Sequence, residues 1–334
     1  MRDTRGKRAS YPNGFITIHS TREEISLSIS AAQVNVTVAT LWTEPASVRA
    51  VDQKAIQHPV NAKGWISGLT AEDKKALLDE NRVQSQLLYG ETVYITDEQQ
   101  GFAKVVIPSQ ASKKDSRGYP GWIPAVQLTK AENEDIEELH QLPIARVKEK
   151  SVMLFDKKGQ EIIPLSFNTL LPISQEHDHF WEVITPHGAA FLKKEAVTTY
   201  PSIQAIPTKN GQSIVREAER FTGLEYLWGG MSSYGYDCSG FSYTMLRANG
   251  YIIPRDASDQ AKSGLHIEKE NVQPGDLLFF AYEEGKGTLH HVGIYYGDGK
   301  MIHSPTPGKK IEIQTIQGSF YEKEWCETRR YWKE

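Results

Sequence analysis

Hydrophobic residues fall at alternate positions over short runs through the first two hundred residues, and at helical spacing only where that pattern breaks. Ile25, Leu27 and Ile29 alternate with serines. Val34, Val36 and Val38 alternate with polar residues and run on through Ala39–Trp42 to Pro45. Both runs read as strands. Leu69–Asp73 then opens a helix, with Thr70 as N-cap and Asp73 at the third position, a variant of the capping box. Ala76, Leu77 and Val83 are expected to form its buried stripe. After Tyr89-Gly90 the strand pattern returns at 92–96, 102–107 and 121–124. The segment Gly101–Pro108 resembles His179–Pro186, each preceded by a β run and followed by a Gly-containing turn and a further strand. Short strands punctuated by turns predict small β barrels. Two related all-β modules are expected, at 25–140 and 141–202, behind an N-terminal arm at 1–24.

The pattern changes after residues 201–210, which hold two prolines and no periodicity and read as a linker. Ile214, Val215, Ala218 and Phe221 mark a helix ended by Gly223. Phe241, Met245 and Leu246 mark another, stopped by Asn249-Gly250. Asp256 caps a short helix ending near Gly264. Strands follow at 276–281, 291–296, 301–304 and 311–315, with Asp298-Gly299 as a hairpin turn. Helices followed by an antiparallel sheet predict an α+β unit at 203–334.

Composition narrows the function. With 39% hydrophobic and 24% charged residues, the 334-residue chain has the makeup of a soluble protein with room for two or three cores. The net charge is −4 with both signs interspersed. No basic stripe for nucleic acid and no polybasic membrane patch is present, so neither partner is expected, and the protein is expected to act as a monomer. Met1–Gly14 is basic and polar but no continuous apolar run follows it, and Ile25–Trp42 is too polar to span a bilayer. A cytoplasmic location is the expectation; a misassigned start or a removed leader would make the protein secreted or cell-wall associated. Of the two cysteines, Cys326 is expected in the core among Trp325, Tyr331 and Trp332, and neither in a disulfide.

Cys238 carries the chemistry. At a helix start the unpaired N–H groups and the macrodipole favour the thiolate, the nucleophilic form; the alternative is a small buried hydrophobe. On the hairpin, His291, Gly293 and Tyr295 would share one face, with His303 on the returning strand. One histidine to take the thiol proton and a second group to hold its ring is the arrangement of nucleophilic catalysis. A catalytic zinc on Cys238, His291 and His303 is the rival, although no closely spaced ligand pair anchors it, and no cofactor is expected.

Six blocks carry a family resemblance: Tyr226-Leu227-Trp228-Gly229-Gly230, Asp237-Cys238-Ser239-Gly240-Phe241, Pro254-Arg255-Asp256, Pro274-Gly275-Asp276-Leu277, His290–Tyr295 and Ile302-His303-Ser304. Their order and spacing resemble the NlpC/P60 cysteine peptidases, and the whole chain resembles the YkfC-type γ-D-glutamyl-L-diamino acid endopeptidases with SH3-like domains ahead of the catalytic domain. The resemblance implies two SH3-like modules and a papain-like α+β domain. It implies Cys238 as nucleophile, His291 as base, His303 as its orienter and Tyr226 as an oxyanion donor. It also implies a murein stem peptide as substrate, cut after γ-D-Glu before lysine or diaminopimelate, with L-Ala-γ-D-Glu released in peptidoglycan recycling. Ser239 and Arg255 are then candidates for the free α-carboxylate, with Asp237 and Trp228 lining the pocket and Asp256 beside them. Arg255 reads equally as a structural arginine paired with Asp256, and Ala257 replaces a serine common in relatives. Tyr119 sits where the tyrosine that reads the peptide's amine would lie. Gln84 stands where a carboxylate partner is expected, with Glu80 or Glu91 as possible substitutes, so strict dipeptidyl specificity is not implied. Acyl transfer or amidase chemistry on the same triad, action on intact wall, and wall docking by the SH3-like modules are the competing readings.

Overall fold

The structure, a computed structural model, describes residues 30–333. The expected arm at 1–24 and strand at 25–29 lie outside the described residues. The first β-rich domain comprises β1 (Ser30–Val34), β2 (Val38–Trp42), β3 (Val83–Leu88), β4 (Thr92–Gln99), β5 (Phe102–Ile107), β6 (Tyr119–Pro124) and β7 (Leu128–Ala131). They form one antiparallel sheet in the order β3-β2-β6-β5-β4-β1-β7. The second domain comprises β8 (Ile144–Val147), β9 (Ser151–Phe155), β10 (Glu161–Ser166), β11 (Leu170–Glu176), β12 (Phe180–Thr185), β13 (Gly188–Lys193) and β14 (Val197–Tyr200). Its order, β10-β9-β13-β12-β11-β8-β14, repeats the first strand for strand. The repeated sequence segments are β5 and β12, which occupy equivalent places in the two sheets.

Two expectations in the first domain are corrected. The run from Val34 to Trp42 is not one alternating strand: it breaks at Asn35–Thr37, and all five residues of β2 are buried. One face of β2 meets the sheet's own core through Ala39 and Leu41. The other is covered by the insertion at 43–82, where Trp42 packs on Trp65 with ring centroids 6.1 Å apart. A strand covered on both faces loses its alternation. The helix Ala71–Asp79 does carry the expected capping box between Thr70 and Asp73. Of its residues only Leu77 is fully buried, however, and Val83 opens β3 instead of extending the helical stripe.

In the third domain, helices Gly211–Glu219 and Cys238–Ala248 pack on a six-stranded antiparallel sheet. Its strands run in the order Leu265–His266, Trp325–Arg330, Leu277–Ala281, Leu289–Gly297, Lys300–His303, Glu312–Thr315. Ile214, Phe241 and Leu246 from the helices meet Leu277, Phe279, Val292 and Ile302 from the sheet in one core. The Asp298-Gly299 turn has φ of +50° and +67°, the left-handed pair that this dipeptide favours in a hairpin. Cys326 is not in the core. The pairing shifts between Glu327↔Phe279 and Trp325↔Phe280, which leaves Cys326 unpaired in a bulge and exposed. Both cysteines are free.

Candidate active site

Cys238 is the first residue of its helix, and the residue before it holds the helix start in place. Asp237 is the N-cap: its Oδ1 accepts from the Gly240 N–H at 2.6 Å. Its Oδ2 accepts from the Gly229 N–H at 2.9 Å and from Arg255 Nη2 at 2.6 Å. Arg255 Nη1 reaches Asp237 Oδ1 at 3.2 Å and Ser239 Oγ at 2.8 Å, and its Nε reaches Ser85 Oγ of β3 at 3.0 Å. Arg255 is 1% exposed. Its carboxylate partner is therefore Asp237, not Asp256, and the pair straddles the cysteine through Asp237 and Ser239.

The sulfur does not have the electrostatics expected of a helix tip. Burial pushes the Cys238 thiol up to about 12, and the Asp237 carboxylate pushes the same way. The N–H groups of Val292 and Ser239 and the Arg255 charge oppose this by less. Desolvation outweighs the dipole, so the resting group is a thiol.

The Val292 contact sets the helix tip against the strand that bears His291. His291 Nε2 lies 2.7 Å from His303 Nδ1, both rings are buried, and the ring planes meet at 76°. This bond occupies Nε2 and leaves Nδ1 of His291 for the thiol; among the described residues no hydrogen bond joins that ring to the sulfur. Burial, with the neighbouring His303 and His290, holds His291 well below the usual histidine range, and burial brings His303 down to about 4 against an opposing hydrogen bond with Gln314. Because the two nitrogens face each other at hydrogen-bond distance, their lone pairs cannot both point at one metal ion. Among the described residues no group of three His, Cys, Asp or Glu side chains is arranged to hold one, and no helix is long and apolar enough to cross a membrane.

Tyr321 carries no motif or periodic signal in the sequence. Its ring lies across both histidines, 5.3 Å from each centroid, and its hydroxyl is raised by burial first and then by the nearby sulfur. It comes from the five-residue helix Phe320–Glu324, too short to leave a periodic signal. Tyr226 is 4% exposed, and burial together with Cys238 and Asp237 keeps its hydroxyl protonated. The Trp228 indole N–H is committed to the Val83 carbonyl at 2.8 Å, so this side chain seals the seam with the first domain.

The loop at 108–118 between β5 and β6 lies against the third domain beside Arg255. Its backbone is fastened to the third domain: Ala111 O accepts from the Arg255 N–H at 3.0 Å and Ser109 O from the Tyr243 hydroxyl at 2.6 Å. Gly118 ends the loop at φ +145°, where a Cβ would stand 2.1 Å from the Ile107 carbonyl oxygen, so only glycine fits. Tyr119 follows, and its hydroxyl donates to Asp256 Oδ1 at 2.8 Å, with Gln84 Oε1 at 3.3 Å. Neither substitute for Gln84 reaches this cluster. Glu91 pairs with Arg247 at 2.6 Å, and Glu80 pairs with Arg82.

Residues 223–330 match the NlpC/P60 family, and residues 147–200 match the YKFC SH3b2 domain. The chain is similar to the γ-D-glutamyl-L-lysine dipeptidyl-peptidase of Bacillus subtilis (strain 168). The two are 42% identical over 301 residues, 89% of this chain and 97% of that protein. Its similarity to the protein of the same name from Bacillus cereus (strain ATCC 10987) is 36% over 305 residues, 90% and 91% of the two. The crystal structure of an NlpC/P60 family protein from Bacillus cereus ATCC 10987 superposes with a TM-score of 0.86 at 36% identity, covering 91% of this chain and all of that one. A cysteine at a capped helix start, two hydrogen-bonded histidines on the facing hairpin and these full-length similarities agree: the chain belongs to the NlpC/P60 family.

Proposed function

We propose that the protein is a cysteine peptidase that hydrolyses the bond between γ-D-Glu and an L-diamino acid in murein-derived peptides, releasing L-Ala-γ-D-Glu. The observation that carries the reading is the seat of Cys238 at a helix start, against the residue that follows His291, whose ring is held by His303. The names of the two full-length relatives support the substrate.

The neutral resting pair dictates the order of events. In the tautomer the reaction needs, His303 carries its proton on Nε2 and accepts at Nδ1, so that His291 donates from Nε2 and presents a lone pair at Nδ1. When the sulfur attacks the scissile carbonyl, the thiol proton passes to Nδ1 of His291. The imidazolium then protonates the leaving amine. A water, deprotonated by the same nitrogen, releases the acyl group. His303 holds the His291 ring through their hydrogen bond while His291 carries the proton between sulfur and leaving amine. The Cys238 N–H, in the first turn and without an intrahelical acceptor, and the Tyr226 hydroxyl are the oxyanion donors. One such donor contributes about 3 kcal/mol to barrier lowering. Asp237 and Ser239 flank Cys238 in the chain, and Trp228 closes the seam with the first domain. Arg255 acts by fixing Asp237 and Ser239.

The test is release of L-Ala-γ-D-Glu from L-Ala-γ-D-Glu-L-Lys, followed by mass spectrometry. Cys238→Ala should lower turnover by at least about 10⁴-fold with the fold intact; turnover near the wild-type rate would remove Cys238 from the mechanism. The pH profile follows from the signs of the shifts. A lowered histidine keeps the base unprotonated below pH 6.5, so the acid limb of kcat/KM falls below that value. A thiol raised to about 12 should give iodoacetamide alkylation of Cys238, measured in a Cys326→Ser background, that climbs through pH 9 without a plateau. A plateau near neutrality would mean a preformed thiolate.

A further inference from the structure

The acceptor cluster of Gln84, Tyr119 and Asp256 already holds an ammonium group, and that group belongs to the chain itself. Lys114 Nζ donates to Gln84 Oε1 at 2.8 Å and to Tyr119 Oη, stands 3.2 Å from Asp256 Oδ2, and lies 4.2 Å from the Tyr119 ring centre. A carboxylate, two neutral oxygens and an aromatic face are together a binding site for a primary amine. The loop delivers the side chain there. Lys114 sits in the turn closed by the Ser112–Asp115 bridge, its N–H donates to Ser112 Oγ, and the Lys113 N–H is tied to Asp259 Oδ2 at 3.0 Å.

The cluster borders the reaction centre, because Asp256 follows Arg255, which is locked to the residues on either side of Cys238. The Lys114 and Asp256 side chains are 37% and 25% exposed, so a bound peptide can reach them. Their charges already cancel. A second ammonium arriving here would share one carboxylate with Lys114, and the neutral Gln84 supplies nothing to offset the repulsion. An acylated amino end carries no charge, and its carbonyl can accept from Lys114.

We infer that Lys114 is a specificity-determining residue, its ammonium filling this site so that the cleft takes peptides with an acylated amino end as well as those with a free one. The inference rests on the peptidase reading above and concerns the end of the substrate away from the scissile bond.

The experiment compares kcat/KM for L-Ala-γ-D-Glu-L-Lys and its N-acetyl form in wild type, Lys114→Met and Lys114→Arg. Wild type should treat the two within about tenfold. Lys114→Met should raise the preference for the free amine by at least about fivefold, through KM and not kcat, and Lys114→Arg should keep the wild-type ratio. A wild-type preference for the free amine above about tenfold, or a ratio moved by less than about fivefold in Lys114→Met, overturns the inference. Calorimetric binding of both peptides to Cys238→Ala chains, with and without Lys114→Met, reads the same ratio without chemistry. If wild type cleaves neither peptide, the peptidase reading falls, and the binding ratio still decides the role of Lys114.

Discussion

The two β-rich domains have the same strand order and opposite relations to the active site. In the first, residues 43–82 separate β2 from β3, and residues 108–118 separate β5 from β6. In the second, the equivalent connections are 156–160 and the pair Pro186–His187. The long connections of the first domain supply Trp65, Lys114 and the carbonyls that hold Arg255 and Tyr243. The second reaches the third domain from behind, through Phe167 on Phe221 at 5.1 Å and Ser166 Oγ accepting from the Ser233 N–H at 2.9 Å. The sheets share a strand order, and the first domain meets the site through its insertions and through the strand ends that flank them, Gln84 and Ser85 of β3 and Tyr119 of β6.

Breaking the buried pair that holds the start of the nucleophile's helix should have the largest effect. Asp237→Ala leaves the guanidinium of Arg255 buried without its carboxylate and removes the acceptor for two N–H groups. Stripping one member from a buried pair costs about 3–5 kcal/mol, to be read from urea unfolding. A loss under about 1 kcal/mol would mean that Ser85 and Ser239 alone satisfy the arginine.

Exchanging the connections tests the comparison itself. Replacing residues 108–118 by a Pro-His turn keeps the β5–β6 register, which ends at Ile107↔Tyr119. It removes Lys114 and the two carbonyls that fasten Arg255 and Tyr243. Since displacing a site by about 1 Å can cost about 10²-fold, kcat/KM should fall at least that far while the melting transition persists. Activity within about tenfold of wild type would make the loop a passive cover.

What could be read in the sequence was local. The Thr70 box, the start of the Cys238 helix and the Asp298-Gly299 hairpin depend on residues within a few positions of one another, and each stands as expected. What could not be read depends on distant partners. Asp237 with Arg255, Lys114 with Gln84 and Asp256, and Tyr321 over the histidines are all contacts between elements far apart in the chain. The state of the sulfur belongs here too: the helix start is visible in the sequence, whereas the depth of burial that overrides it comes from three elements packing around it. Cys326 stands outside the core because a bulge, which leaves no compositional trace, turns it outward.

The smallest effect is expected at the second domain's own buried arginine, and it sharpens the comparison most. Arg146 of β8 is 5% exposed, donates to the Ala248 carbonyl at the end of the Cys238 helix, and lies 5.3 Å from the Tyr200 ring centre. Among the described residues no carboxylate forms a salt bridge with it, and its buried Nε has no hydrogen-bond partner. Burial lowers its pKa, whereas Arg255, with Asp237 beside it, is raised. A cation at a helix C-terminus contributes about 0.3–1 kcal/mol, and burying an unpaired charge costs at least as much. Arg146→Met keeps the volume and discards both terms. Stability should therefore change by less than about 1 kcal/mol in either direction, with kcat/KM unaltered within about twofold. A loss of about 3 kcal/mol would show the rear domain holding the Cys238 helix as firmly as the front one does, and the functional asymmetry between the two sheets would then rest on the loops alone.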